Sequence, residues 1–278
     1  MLMTPFHALY TARELSAYSP LTAAYATTDI EIYPYQVAAA MFTMRSPYLK
    51  GAVLADEGSL GKTYEALLII SQLYFERRDR ILIIVPTPLL GQWVEILENC
   101  FTVPFECGFA EDSVSLITYE QAVENDEFIE KSEWNMVVFD EAHRLDNHES
   151  KTARVLKEAV GGAYKLLLTA TPMQNSIMDL YYLIDFIDTG ALGDADEFYK
   201  RYFRKPERYN ELATITSRYC FRTLRSQVES YVKIPNRIPV TSDYPLTAKE
   251  VELAAMVKSH SRLRNPTPKQ WGGFTPTG

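Results

Sequence analysis

Short apolar runs alternate along this chain with longer stretches in which apolar positions recur every three or four residues. Ala52–Ala55, Ile81–Val85, Val114–Ile117, Met136–Phe139 and Leu166–Leu168 are the apolar runs. Side chains that are apolar on both faces suit strands of a parallel sheet covered by helices on each side. Between them the 3.6-residue period predicts helices over 62–76, 89–100, 119–130 and 149–160. Alternation of this kind implies right-handed βαβ crossovers. The expected fold class is α/β, a doubly wound parallel sheet flanked by helices. Pro86 and Pro88 end the second run and open the next helix, where a first-turn proline is tolerated.

The pattern changes after residue 172. Segments 176–188, 194–204 and 207–218 are helical in period and carry Tyr, Phe and basic residues. Pro235, Pro239 and Pro245 mark an extended connector over 235–245, and a further helix is expected over 247–262. From Asn265 onward the prolines and glycines predict a mobile end. No internal repeat is present. Four regions result: an N-terminal segment over 1–30, the strand-bearing lobe over 31–175, a helical extension over 176–235 packed on it, and a connector over 236–278.

Composition narrows this picture in three ways. At 278 residues, with 47% hydrophobic and 23% charged residues, the chain buries enough surface to need no disulfide or metal staple. Cys100, Cys107 and Cys220 are odd in number and lack zinc-ligand spacing, which fits a reducing compartment. No apolar run reaches the length of a membrane helix and the first residues lack a secretory pattern, so a cytoplasmic protein is expected. The net charge of −8 argues against a chain that coats nucleic acid by charge alone. Residues 200 to 237, however, hold ten basic and three acidic residues, +7 in all, which leaves −15 for the rest. Such a region faces phosphates, forms a solvated helical surface, or docks an acidic protein partner.

Candidate chemistry sits at the ends of two apolar runs. Leu54-Ala55-Asp56-Glu57-Gly58-Ser59-Leu60-Gly61-Lys62-Thr63 follows the first strand and opens a helix. In such a loop the N–H groups around Gly58, Ser59, Leu60 and Gly61 face phosphate oxygens. Lys62 reaches the β- and γ-phosphates of ATP, and the Thr63 hydroxyl ligates Mg²⁺. In strict register the first glycine of the generic phosphate-loop pattern falls at Asp56, so the loop is a helicase-type variant. Asp140 and Glu141 lie 78 and 79 residues beyond Lys62, at the end of the fourth run. One carboxylate can hold the metal, and the other can orient and deprotonate a water. The plainer alternative is a pair of strand-end acids that cap the next helix. His143, Thr169 and Thr171 are candidates for a relay beside this site; an ordinary strand-end turn is the alternative for the threonines.

At this point the chain resembles the Swi/Snf family of superfamily 2 helicase-like ATPases. The resemblance spans roughly residues 30 to 235. It rests on Tyr33-Pro34-Tyr35-Gln36, Leu54 to Thr63 with Glu65-Ala66, Ile83-Ile84-Val85-Pro86 with Gln92-Trp93, Ile117-Thr118-Tyr119-Glu120, Asp140-Glu141-Ala142-His143, and Leu168 to Pro172 with Asn175. Lys62 to Ala66 looks most like bacterial members. The resemblance implies a RecA-like, P-loop NTPase lobe that binds ATP with Mg²⁺. It implies that Gln36 reads the adenine edge, that Lys62, Asp140 and Glu141 serve hydrolysis, and that Thr63 and Asp140 hold the metal. It also implies that Pro86, Thr87, Gln92, Thr118 and Tyr119 line a track for one strand of double-stranded DNA. For Trp93, a buried core aromatic is an equal alternative. One departure stands out: the family carries glycine where this chain has Ser59 and a bulky residue where it has Gly58.

Members of the family have a second RecA-like lobe that contributes arginines to the nucleotide site, and no second strand-helix series follows Thr171. The expectation is therefore an N-terminal part of a longer DNA translocase, weakly active alone. Two other functions fit the same residues: a stand-alone nucleotide-binding or interaction module, and the lobe of an RNA helicase.

Overall fold

The structure is a computed structural model that describes residues 21–44, 50–145 and 150–230, with Val232, Thr247, Lys249, Leu253 and Met256 as isolated positions. The chain divides into two units, Met1–Ile234 and Pro235–Gly278, and the described fold belongs to the first. Most of the N-terminal segment, the proline-marked connector, the helix expected over 247–262 save isolated positions, and the glycine-rich end lie outside the described residues.

Each apolar run forms a strand. They are β1 (Gly51–Leu54), β2 (Ile81–Val85), β4 (Val114–Thr118), β5 (Met136–Phe139) and β6 (Tyr164–Leu168). Two further strands, β3 (Phe105–Cys107) and β7 (Cys220–Phe221), join the edges. The order is β3-β4-β2-β5-β6-β1-β7, and every pair is parallel. All strands therefore end on one edge of the sheet, where ligands bind in folds of this kind.

Alternate residues of the strands go to opposite faces, as a two-residue period requires. Ala52, Leu54, Ile81, Ile83, Val85, Val138 and Leu168 pack on one side with Leu67, Ile70, Trp93 and Leu97. Val53, Leu82, Ile84, Val137, Phe139 and Leu167 pack on the other with Leu156, Leu183 and Ile184. At roughly 1.5 to 3 kcal/mol for each large side chain taken from water, neither face is tolerable bare. Helices α1 (Thr22–Ala26), α2 (Pro34–Met44), α3 (Lys62–Arg77) and α4 (Leu90–Cys100) supply the first cover. Helices α5 (Tyr119–Glu124), α6 (Asp126–Lys131), α7 (Lys151–Ala159) and α8 (Ile177–Ile187) supply the second.

The expected helix over 119–130 is two helices. Asn125, at φ −120° and ψ 29°, ends α5 and starts α6. Its N–H bonds back to Gln121 while its carbonyl receives Phe128 and Ile129. After α8 come α9 (Ala195–Tyr202), α10 (Tyr209–Thr216) and α11 (Arg225–Val228). Phe198, Tyr202 and Leu212 pack with Tyr181 in a small core of their own. The extension expected to be helical also contains β7, which runs beside β1: Val53 N–H donates to Tyr219 O and Ala55 N–H to Phe221 O, both at 2.7 Å.

Candidate nucleotide site

The ends of β1, β6 and β5 lie side by side and carry, in that order, the loop at 55–61, Thr169 and the acidic pair. Gly61 caps α3 in the left-handed region at φ +86°. A side chain there would press to 2.9 Å of Gln36 Nε2, so glycine is required twice over. Ser59 also sits at positive φ, +69°. For a residue with a Cβ this costs about 1 to 2 kcal/mol, so the loop carries a strain at Ser59 that glycine would not incur.

Lys62 is half-buried, and its Nζ donates to the Asp56 carbonyl at 2.9 Å. Burial lowers its pKa, opposed by the charges of Glu65, Glu141, Asp140 and Asp56. The loop and the acidic pair, 78 residues apart in sequence, are thus electrostatic neighbours. Asp140 is buried, and both its oxygens are fixed: Oδ1 accepts from Glu141 N–H at 2.9 Å and Oδ2 from Trp93 Nε1–H at 2.7 Å. Burial raises its pKa, and the Trp93 hydrogen bond works against that. Glu141 has a φ of +49°, which turns its half-exposed side chain from the strand direction. His143 Nδ1 lies 3.1 Å from Glu141 Oε2, a close approach whose geometry makes no hydrogen bond.

Two further carboxyls lie beneath the loop. Glu65 is fully buried, and neither of its oxygens has a geometric donor. Burial first, and then the Asp56 carboxylate, push its pKa well up. Asp56 Oδ1 accepts from Thr223 N–H at 2.6 Å, while Oδ2 is unpartnered. One proton shared between the two carboxyls accounts for both observations.

Gln36 is buried against the loop. Its Oε1 accepts from Tyr33 N–H at 3.0 Å and its Nε2 donates to Leu60 O at 3.3 Å. The proposed relay is not joined by hydrogen bonds among the described residues. His143 faces Glu141, whereas Thr169 Oγ1 accepts from Thr171 N–H at 3.1 Å. The proposed DNA track divides by burial. Thr87 and Gln92 are exposed, and Thr87 Oγ1 donates to Glu120 at 2.8 Å. Pro86, Thr118 and Tyr119 are buried. Thr118 caps α5 through its side chain, and the Tyr119 hydroxyl donates to Asp140 O at 2.9 Å. These three support the surface from below and present little area to a bound strand where they stand. Trp93, only 1% exposed, is a core residue with a polar task.

Sequence reasoning missed the bond from Trp93 to Asp140 and the approach of Arg225 to the loop. The first joins residues 47 apart and the second residues 167 apart, and only the sheet order brings either pair together. The basic character of segment 200–237 was the one signal that touched Arg225.

The SNF2-related domain family matches residues 105–262, and the type III restriction enzyme res subunit family matches residues 29–174. The chain belongs to the SNF2-related family. A curated relative, the uncharacterized ATP-dependent helicase YqhH of Bacillus subtilis, is 32% identical over 63% of this chain and 33% of its own length. The chromodomain-helicase-DNA-binding protein 1-like of Mus musculus is 27% identical over 87% of this chain and 30% of its own. The chain therefore spans about a third of the length of these relatives. Among solved structures, the Sulfolobus solfataricus SWI2/SNF2 ATPase core domain aligns with a TM-score of 0.64 at 25% identity, over 86% of this chain and 52% of that one. The same core in complex with dsDNA aligns at 0.65 and 24% identity, over 87% and 55%. The fold of this SNF2-related chain is RecA-like.

Proposed function

We propose that this chain is the ATP-binding lobe of a cytoplasmic motor that translocates on double-stranded DNA. The observation that carries the reading is the convergence of Lys62 with Asp140 and Glu141 at one sheet edge, supported by the names of its relatives. Among the described residues Lys62 makes no hydrogen bond to a carboxylate; its ammonium group rests on a carbonyl, from which it can turn to phosphate oxygens. The N–H groups of the loop and of the first turn of α3 favour anions. Thr63 and Asp140 offer hard oxygen donors, and each Asp140 oxygen accepts a single protein hydrogen bond, so the set suits Mg²⁺. Bound there, the ion would neutralise phosphate charge.

Glu141, beside His143, orients the attacking water and accepts its proton. Gln36 keeps one free N–H and one free lone-pair site after its internal bonds, enough to read an adenine edge. Thr87 and Gln92 offer the exposed polar groups of a backbone-phosphate track, contacts that position without reading sequence. Arg201 is occupied by Glu211 and Lys205 by the Lys200 carbonyl. The basic segment thus spends part of its charge internally.

Fluorescent ATP titrations test the reading. Lys62→Ala is expected to weaken binding at least about tenfold, while Glu141→Gln keeps binding and abolishes phosphate release. Equal binding by the Lys62 variant would remove the nucleotide site. Binding without hydrolysis by the unaltered chain, with and without duplex DNA, would favour a non-catalytic module, and stimulation by RNA alone would favour an RNA helicase.

A further inference from the structure

We propose that Arg225 is a positioning residue of the phosphate loop, holding it in the path that Ser59 does not favour. The inference rests on the nucleotide-site reading above and adds to it a residue that no loop motif contains. The segment from Tyr219 to Val228 runs along the outer side of β1 and then along the loop. After the two β-type bonds it continues with Glu57 N–H donating to Thr223 O at 3.1 Å and Thr223 N–H to Asp56 Oδ1 at 2.6 Å. Arg225 N–H then donates to Glu57 Oε2 at 2.8 Å. Its guanidinium closes the series: Nε and Nη2 both donate to Gly58 O, at 3.0 and 2.5 Å, and Nη2 reaches Ser59 Oγ at 3.3 Å.

In a trans peptide the carbonyl and the following N–H point opposite ways. Two donors on Gly58 O therefore fix the direction of the Ser59 N–H, one of the loop groups that would face phosphate. On the other side of Ser59, Leu60 O accepts from Tyr35 O–H at 2.7 Å and from Gln36 Nε2 at 3.3 Å. The residue at φ +69° is thus held from both sides, the condition under which a strained conformation persists. Leu60 is also packed against Val228 and Tyr35, so the loop and α11 share one small core. None of the ion pairs found among the described residues involves Arg225. Its planar fork serves the loop carbonyl, a task that a lysine's single ammonium group performs less well.

The test uses the 278-residue chain and the variants R225M, R225K, S59G/R225M and K62A. Amide exchange of the loop is followed without nucleotide, and binding of fluorescent ADP with Mg²⁺ is measured beside it. R225M is expected to speed exchange across the loop and to weaken ADP about tenfold, the scale of one strained residue set free. R225K is expected to keep a loss of about threefold or more, because it restores charge but not the fork. S59G is expected to return the double variant to within about threefold of the unaltered chain, since glycine holds the same φ unaided.

Unchanged loop exchange in R225M would overturn the inference. So would R225K with wild-type affinity, or a loss that S59G does not reduce, which would make the residue a direct charge contact. If R225M fails to give a cooperative melt, R225K and S59G/R225M carry the test. Loss of ADP binding in K62A with none in R225M removes the clamp and leaves the nucleotide site standing. Undiminished ADP binding in K62A removes the site, and loop exchange still decides the clamp.

Discussion

Two N–H groups hold the Asp140 carboxylate, one from its neighbour Glu141 and one from Trp93 on helix α4. Replacing Trp93 by Phe keeps most of the buried ring and removes the second donor. A buried carboxylate that loses a charge-assisted bond costs about 2 kcal/mol, so urea unfolding should show that loss. The Asp140 pKa, already raised by burial, should rise further in the variant.

Glu65 gives the opposite case. Its carboxyl is buried without donors and its pKa stands well above the ordinary range. The stability it contributes is present below the ordinary glutamate value and is lost as pH rises through the raised folded value. Glu65→Gln has the same shape and cannot ionise. Its melting temperature should match the unaltered chain at about pH 4 and exceed it by about 3 °C at pH 8. Equal melting at both would mean that Glu65 is ionised without strain. Neither residue's role was legible in the sequence: Trp93 read equally as track or core, and Glu65 only as part of a motif block.

At the scale of elements, legibility followed apolar length. Five runs of three to five residues were apolar save for Ser115, and all five are central strands. β3 and β7 escaped because two or three residues at a sheet edge, with partly exposed side chains, have no period to show. β1 rests on one glycine. A Cβ at Gly51 would stand 2.1 Å from the Lys165 carbonyl of β6. Backbone cannot yield as a side chain can, so Gly51→Ala should cost about 3 kcal/mol by thermal or urea melts. A loss under about 0.5 kcal/mol would mean that β1 and β6 separate freely. The split between α5 and α6 follows from local chemistry, the Thr118 capping box and the turn at Asn125, which helical periodicity alone does not register.

Over the whole molecule, every strand ends on the same edge, and that edge collects the loop, the acids, Thr169 and the exposed Thr87 and Gln92. All of these belong to one sheet, whereas the solved ATPase cores extend over nearly twice the matched length. Transition-state arginines are worth about 10³ to 10⁵ in rate in comparable phosphoryl transfer. The isolated chain is therefore expected to release phosphate slowly, with little increase on adding duplex DNA. Robust DNA-stimulated turnover would show that one lobe suffices.

By itself the sequence determined the alternation of strand and helix, the family, and the motif residues at the strand ends, because these are written in local period and contiguous spacing. Tertiary structure alone decided which motif residues are buried supports and which are exposed, since burial depends on what packs above them. It also decided that Trp93 serves Asp140 and that Arg225 serves Ser59. A hydrogen bond between residues 47 or 167 positions apart leaves no periodic trace, and only the order of parallel strands brings its two ends together.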